Sequence, residues 1–444
     1  MGVINSAEGR PQTRLRRIGD WYDGQRGPRG IAVGWLVSRA LILLLLAVAE
    51  RYIAGDVFYY WRKLRQMSEV GLDQTLIEYP TPVVWILQLP YAATGGYRTG
   101  YLIGFVVFML LLDAAFTYAL YRSAGRRHDR SVDFWLLFVF LLGALAYLRF
   151  DLLPAVLAGG ALLAARRRPW VTGALTGLGA AVKLWPALLI PAFLAHKSDR
   201  RTAGVAFVVV GFGLAAVSLL AGGVTRLFSP LTWQSDRGLQ IESVWSIPPM
   251  VARAVRPDAW TVELSRYQAY EIFGPGVELW VGVSNVATVL GLAVLVVLSV
   301  RAFRAGGGTP VAVAFLVLTT IAVMIVTNKT LSPQYLLWLA GPGAALLLLR
   351  HRATPAERMA VRHTTYALLA LALLTHLVYP LLYPGLLGRN GHVLLAVATV
   401  VTTARNVGLL LFTGYVASRA WRFTGAGQPR VADASSQVDR PRTR

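Results

Sequence analysis

The sequence contains no cysteine, which removes disulfides, thiol nucleophiles and thiolate metal ligands together. Charge is scarce too: Asp, Glu, Lys and Arg form 15% of the 444 residues, against about 25% in soluble domains. Acidic residues are the rarer half, 22 against 44 Lys and Arg, for a formal charge of +22. In a soluble chain that excess would point to nucleic acid. Here the basic residues sit in short stretches between apolar runs, the pattern by which membrane proteins set their orientation. Nucleic acid is therefore excluded as a partner. The six histidines are scattered, no pair stands at helical metal-ligand spacing, and no glycine-rich loop ends in Lys-Ser or Lys-Thr. No metal and no cofactor is expected.

What the chain has in plenty is apolar length. Long hydrophobic runs recur from residue 31 to residue 420, so the expected fold class is all-α: a polytopic integral membrane protein. Residues 1–30 carry Arg10, Arg14, Arg16, Arg17, Arg26 and Arg29 without an apolar stretch ahead of them, and read as a cytoplasmic basic arm. Spans are expected near 31–49, 99–121, 133–148 and 152–165, then near 203–222, 279–300, 310–326, 333–349, 364–383 and 392–418. Residues 171–195 break at Lys183 and Pro186 into halves of about a dozen residues, too short to cross alone, and predict a helical hairpin. That makes about ten transmembrane helices plus the hairpin.

Arg122, Arg126, Arg127 and Arg130, then Arg166 to Arg168, Lys197 to Arg201, Arg301 with Arg304, and Arg350 to Arg362 mark the cytoplasmic loops. Both termini fall on that side. The two long loops, 50–98 and 223–278, fall outside. Residues 31–420 form one transmembrane domain, and the polar, basic residues 421–444 read as a disordered cytoplasmic tail.

The polar clusters gather at the outer ends of these spans. Asp56 follows the first span within Gly55-Asp56-Val57-Phe58-Tyr59-Tyr60. A carboxylate in an aromatic, half-dehydrated setting suits a general base, and equally suits the start of a helix. Glu78 in Glu78-Tyr79-Pro80-Thr81-Pro82 is a second acid or the partner of an arginine. Arg149-Phe150-Asp151 places opposite charges at a membrane boundary, where they neutralise each other or leave Arg149 for an anionic headgroup. Lys183 is an intramembrane ammonium, which needs a partner, an anionic ligand or a path to the surface. Arg237, Gln240 and Glu242 mix base, amide and acid in the second loop, as a sugar site requires. Lys329, Ser332 and Gln334, in Asn328-Lys329-Thr330-Leu331-Ser332-Pro333-Gln334-Tyr335, suit a phosphate cradle or a capped helix start. Inside the spans lie His376 and Asp113, the latter a feature expected of a proton-coupled transporter or of a buried helix–helix hydrogen bond.

Taken as a series, these clusters resemble the polytopic glycosyltransferases of the C superfamily. More narrowly they resemble glycosyltransferase family 87, the polyprenyl-phosphate-mannose-dependent mannosyltransferases and their arabinofuranosyltransferase relatives. The pieces that carry the resemblance are Asp56 with Tyr59 and Tyr60, the Tyr79-Pro80 turn, Arg149-Phe150-Asp151 and Lys183-Leu184-Trp185-Pro186. Arg237-Gly238-Leu239-Gln240-Ile241-Glu242-Ser243 and Leu331-Ser332-Pro333-Gln334-Tyr335 complete it. The resemblance implies a polyprenyl-phosphate sugar donor, a glycolipid or polysaccharide acceptor, surrounding membrane lipids, and inversion at the anomeric carbon on the extracytoplasmic side. Under it Asp56 is the catalytic base. Lys329, Lys183 and Arg149 hold the donor phosphate; Tyr59, Tyr60, Glu78, Arg237, Gln240, Glu242, Ser332 and Gln334 bind substrate. Mannose is the expected sugar, arabinofuranose the in-family alternative, and transport of a lipid-linked sugar the alternative outside the class.

Overall fold

The computed structural model describes residues 27–125, 129–165 and 167–425. Most of the expected arm, Arg126, Arg127, Arg166 and nearly all of the expected tail lie outside the described residues. The rest is a helical bundle. Among the described residues, eight helices are long and apolar enough to cross a membrane: Pro28–Val48, Arg98–Ser123, Arg130–Tyr147, Arg200–Ser235, Val277–Arg304, Pro310–Thr327, Pro355–Leu381 and Gly391–Gly425. Leu152–Ala164, Trp185–Leu194 and Pro333–Leu349 are shorter apolar helices. Helices meet the requirement that backbone groups in hydrocarbon be satisfied within the segment. The expected all-α membrane fold is the fold observed.

The expected hairpin is present as well. Pro169–Val182 is a helix of 14 residues, about 21 Å long against a hydrocarbon core of about 30 Å. It stops at Lys183, which is extended (φ −156°, ψ 126°), and Trp185–Leu189 turns the chain back with Pro186 near its start.

The two long loops are less loop-like than the sequence suggests. Residues 50–98 hold two helices, Gly55–Val70 and Thr81–Ala93. The span expected at 203–222 continues to Ser235 through a bend at Gly223 (φ 75°), with Pro230 inside the continued part and Arg226 and Pro230 buried on it. Beyond it lie the helix Ile247–Val255 and an antiparallel pair, Thr261–Leu264 with Tyr270–Phe273. Arg226, nearly fully buried, joins the two loops. Its guanidinium donates to the carbonyls of Leu72, Thr75, Leu76 and Tyr79 at 2.8–3.3 Å, so one side chain fixes the 72–79 turn beside the site.

Small residues let the central helices touch backbone to backbone. A Cβ added to Gly341 would lie 2.2 Å from the Ala155 carbonyl oxygen, and one on Gly173 would lie 2.0 Å from that of Ala203. Gly213, by contrast, faces open space. Gly341→Ala should therefore lower the thermal midpoint of the purified protein, an overpacking cost of about 1–3 kcal/mol. Gly213→Ala should leave the midpoint unchanged or raise it. Equal midpoints for the two variants would show that the helices separate at no cost.

Sidedness is directly testable because no native cysteine interferes. Arg266 and Ala305 are exposed and flank one spanning helix, Val277–Arg304. Arg266→Cys should react with an impermeant maleimide in intact cells and Ala305→Cys only after lysis. The opposite pattern would invert the topology.

Candidate active site

The helix Gly55–Val70 has three stripes. Val57, Tyr60 and Leu64 are buried; Asp56, Tyr59 and Lys63 lie along one flank, and Phe58, Arg62 and Arg65 along the other, as spacings of three and four residues require. Asp56, in the first turn, favours the helix N-terminus, so the helix-start role is real. It is not the whole role. The Asp56 carboxylate lies 2.9 Å from Nε of Arg149, with side-chain exposures of 43% and 6%. Among the described residues Asp56 has no other polar partner. Nε is in ionic contact but makes no hydrogen bond of good geometry, so the exposed carboxylate keeps its lone pairs available.

Arg149 is held from several sides. Its guanidinium donates to the carbonyls of Ile53 and Leu148, each at 3.0 Å, and to the Tyr379 hydroxyl at 3.1 Å. Of the two readings open for this turn, mutual neutralisation of Arg149 and Asp151 is not what the structure shows. Residue 151 begins the next helix and turns its carboxylate the other way, to Lys183 at 2.5 Å and to Trp338 Nε1 at 2.7 Å. One tight turn thus carries two separate acid–cation pairs.

Lys183 meets its requirement for a partner in Asp151 and in two rings. Its ammonium lies 5.4 Å from the Tyr335 centroid and 4.8 Å from that of Trp338. Tyr335 and Trp185 both stack on Trp338. Asp151 Oδ2 and Trp185 Nε1 remain buried without a partner. Trp185, Trp338 and Asp151 were missed as site residues: in an apolar sequence a core tryptophan looks the same as one lining a site, and only the Lys183 contact separates them.

Tyr60 and Tyr79 tie the helix Gly55–Val70 to the turn that follows it within the first loop, their hydroxyls 3.1 Å apart. Tyr79 also packs edge-on to Phe150. Both Glu78 oxygens are buried without a hydrogen bond of good geometry. Burial pushes the Glu78 carboxyl above the usual carboxylate range, opposed by its own backbone N–H, the Tyr59 hydroxyl, Lys63 and Arg226. Asp56, Tyr59, Tyr60 and Glu78 therefore gather at one end of this helix.

The second loop contributes less directly. Gln240 donates to Ser332 Oγ at 3.3 Å, and its backbone N–H to the Lys329 carbonyl at 3.1 Å, so these two motifs form one strip. Gln334 belongs to the turn Pro333–Tyr335, which packs against Gly143–Tyr147. Lys329 itself bends to the Ser235 carbonyl at 2.7 Å, and burial pushes its ammonium down, opposed by Glu271 and Asp236. It stands with the second loop, apart from Asp56. Arg237 is engaged by Gln234 and the Tyr267 carbonyl. Glu242 is fully buried and bonded to Arg405 at 2.7 Å; burial pushes its carboxyl up, opposed first by Arg405 and then by Arg149. That engagement fits a clamp between the second loop and the last helix.

The two intramembrane candidates are both enclosed. Asp113 accepts from Arg39, Trp35, Trp135 and Tyr147 at 2.6–3.0 Å, a satisfied helix–helix cluster. His376 lies between Glu50, 2.9 Å from Nε2, and the Leu141 carbonyl, 3.0 Å from Nδ1, in space that Gly143 leaves open: a Cβ there would fall 2.3 Å from the imidazole.

An apolar cavity of about 200 Å³ flanks the site, between the hairpin and the bent helix Arg200–Ser235, with Pro80, Ala181, Leu184, Phe207, Phe212 and Leu214 on its walls. It begins one residue from Lys183.

The Asp151–Lys183 pair yields a stability test. Removing one partner of a buried pair strands the other, at a cost of about 3 kcal/mol; removing both restores neutrality. Asp151→Asn and Lys183→Met should each lower the thermal midpoint, and the double variant should recover most of the loss. Additive losses would mean that the pair carries no coupling.

In comparison with known protein families, residues 79–328 match glycosyltransferase family 87, more than half of the chain. No curated protein matches.

Proposed function

The chain belongs to glycosyltransferase family 87, and on that premise we propose that this membrane glycosyltransferase moves a sugar from a polyprenyl-phosphate donor to an envelope glycolipid or polysaccharide. Transfer takes place on the extracytoplasmic side with inversion. The observation that carries the reading is the Arg149-Phe150-Asp151 turn. It sets an open carboxylate, Asp56, against a buried guanidinium, and sets a second cation, Lys183, on the turn's far end.

In this reading the acceptor hydroxyl oxygen bonds to the anomeric carbon as the bond from that carbon to the phosphate oxygen breaks. Asp56 takes the hydroxyl proton and becomes neutral, while the departing phosphate gains one negative charge. Arg149, in contact with Asp56 at rest, is then free to hold the charge that the phosphate has acquired. Lys183 supports it from the other end of the turn, with Lys329 at the rim. Cations held in place at the point where charge develops remove the need for a general acid. Tyr59, Tyr60 and Glu78 line the acceptor side; Gln240, Ser332 and Gln334 supply hydroxyl and amide contacts. The apolar cavity beside Leu184 suits the first isoprene units, since it opens next to the residue assigned to the phosphate. Mannose is the favoured sugar on family grounds, with arabinofuranose as the alternative.

The transporter reading drew on Asp113, and that carboxylate is now occupied by four donors. It gives no independent reason to prefer transport.

Purified protein, radiolabelled polyprenyl-phosphate mannose and an extracted glycolipid pool form the assay, with the arabinofuranose donor in parallel. Asp56→Asn should lower turnover by about 10²–10⁴-fold with little change in donor or acceptor binding. A purely helix-starting Asp56 predicts near-normal turnover, because Asn substitutes well there. A folded variant retaining more than about half its activity removes Asp56 from the mechanism.

A further inference from the structure

The helix that begins at Asp56 has a second flank that the reaction does not use. Basic residues are expected to be sparse on the membrane face opposite the basic loops, yet Arg62, Arg65 and Arg98 cluster there. All three are exposed, and among the described residues none forms an ion pair. Two of the guanidinium groups lie over aromatic rings. Arg65 is over Trp61 at 5.5 Å and Arg98 over Phe58 at 4.3 Å. Trp61 is fixed in turn by donating Nε1 to the Gly96 carbonyl at 2.8 Å, which ties the flank to the start of the spanning helix Arg98–Ser123. Tyr97, 77% exposed, completes a surface of aromatic bodies and cationic heads, suited to the boundary between hydrocarbon and water.

From this we infer that Phe58, Trp61, Arg62, Arg65 and Arg98 form a docking site for the headgroup of an anionic phospholipid, in the leaflet on which Asp56 lies. Three guanidinium groups without an ion-pair partner among the described residues, two of them seated on aromatic rings, match a phosphate and its charge by bidentate hydrogen bonding. The flank lies across the helix from Lys63, so a lipid seated there is outside the acceptor path. It would fix the depth of the helix that presents Asp56. This site is independent of the glycosyl-transfer reading: a lipid would bind it whatever the donor.

The test uses the purified full chain with dioctanoyl phosphatidylglycerol as probe and dioctanoyl phosphatidylcholine as its neutral counterpart, read by native mass spectrometry. Each arginine near a charged lipid surface contributes about fivefold in affinity, so the protein should prefer the anionic lipid by roughly a hundredfold. High salt should erode the preference. Arg62→Gln, Arg65→Gln and Arg98→Gln together should abolish it, and the three corresponding Lys substitutions, which keep the charge but not the bidentate fork, should retain only part of it. If the triple Gln variant fails to fold, the single variants each carry a measurable loss of about fivefold. Equal affinity of the wild type for both lipids would overturn the site. So would a triple variant that binds phosphatidylglycerol normally but shows a raised KM for the acceptor, since the arginines would then hold the acceptor's own headgroup.

Discussion

Arg149 is the contact on which the arrangement of the site depends. Its guanidinium reaches the Asp56 carboxylate, the backbone between the first span and its neighbouring helix, and the hydroxyl of Tyr379. Four parts of the chain, near residues 53, 56, 149 and 379, are thereby held by one planar cation. A guanidinium serves here where an ammonium would not, because its fork of donors is rigid and stays charged when buried. In surroundings of low polarity each charge needs a partner, and the pairs Asp56–Arg149, Asp151–Lys183, Glu50–His376 and Glu242–Arg405 each join distant segments. Those pairs decide which helix ends meet.

The membrane fold was legible because hydrophobic length is a local property. The runs near 31–49 and 310–326 give their own boundaries, and the break at Lys183 announced a half-length hairpin. Gly55–Val70 was hidden because its composition is mixed, and Thr81–Ala93 because it is short and interrupted by Pro90, with a turn between them that looks like loop. The continuation of the fourth long helix past Gly223 was hidden for a related reason: the apolar run has ended there, and Gly223 and Pro230 both read as breaks.

Much of the candidate site was also legible as residue types at span ends, but their pairing was not. Arg149 and Asp151 are two residues apart, and their sequence distance left open whether they neutralise each other or leave Arg149 for another partner. The turn between them sends the two side chains in opposite directions, one to residue 56 and one to residue 183. Lys329 illustrates the reverse case. It lies near Ser332 and Gln240 in the strip that joins the second loop to the 328–335 turn, and its own side chain turns to Ser235. Asp113 was open to a transporter role or a buried helix–helix hydrogen bond, and the second is what Trp35 and Arg39 complete; Glu50 completes His376, and nothing local to either residue discloses those partners.

The half-length hairpin has a consequence for the surrounding bilayer. A helix of 14 residues leaves roughly 9 Å of a 30 Å hydrocarbon core unmatched. Where protein does not fill that gap, lipid must, by thinning around residues 169–194 at a fraction of a kcal/mol per Å. Under the proposed donor reading, an interface drawn inward at Lys183 lets a phosphate carried on a long isoprenoid stay hydrated while lying below the level of the surrounding headgroups. Membrane thickness then becomes a variable of the enzyme: a thicker bilayer raises the cost of that depression, and a thinner one relieves it.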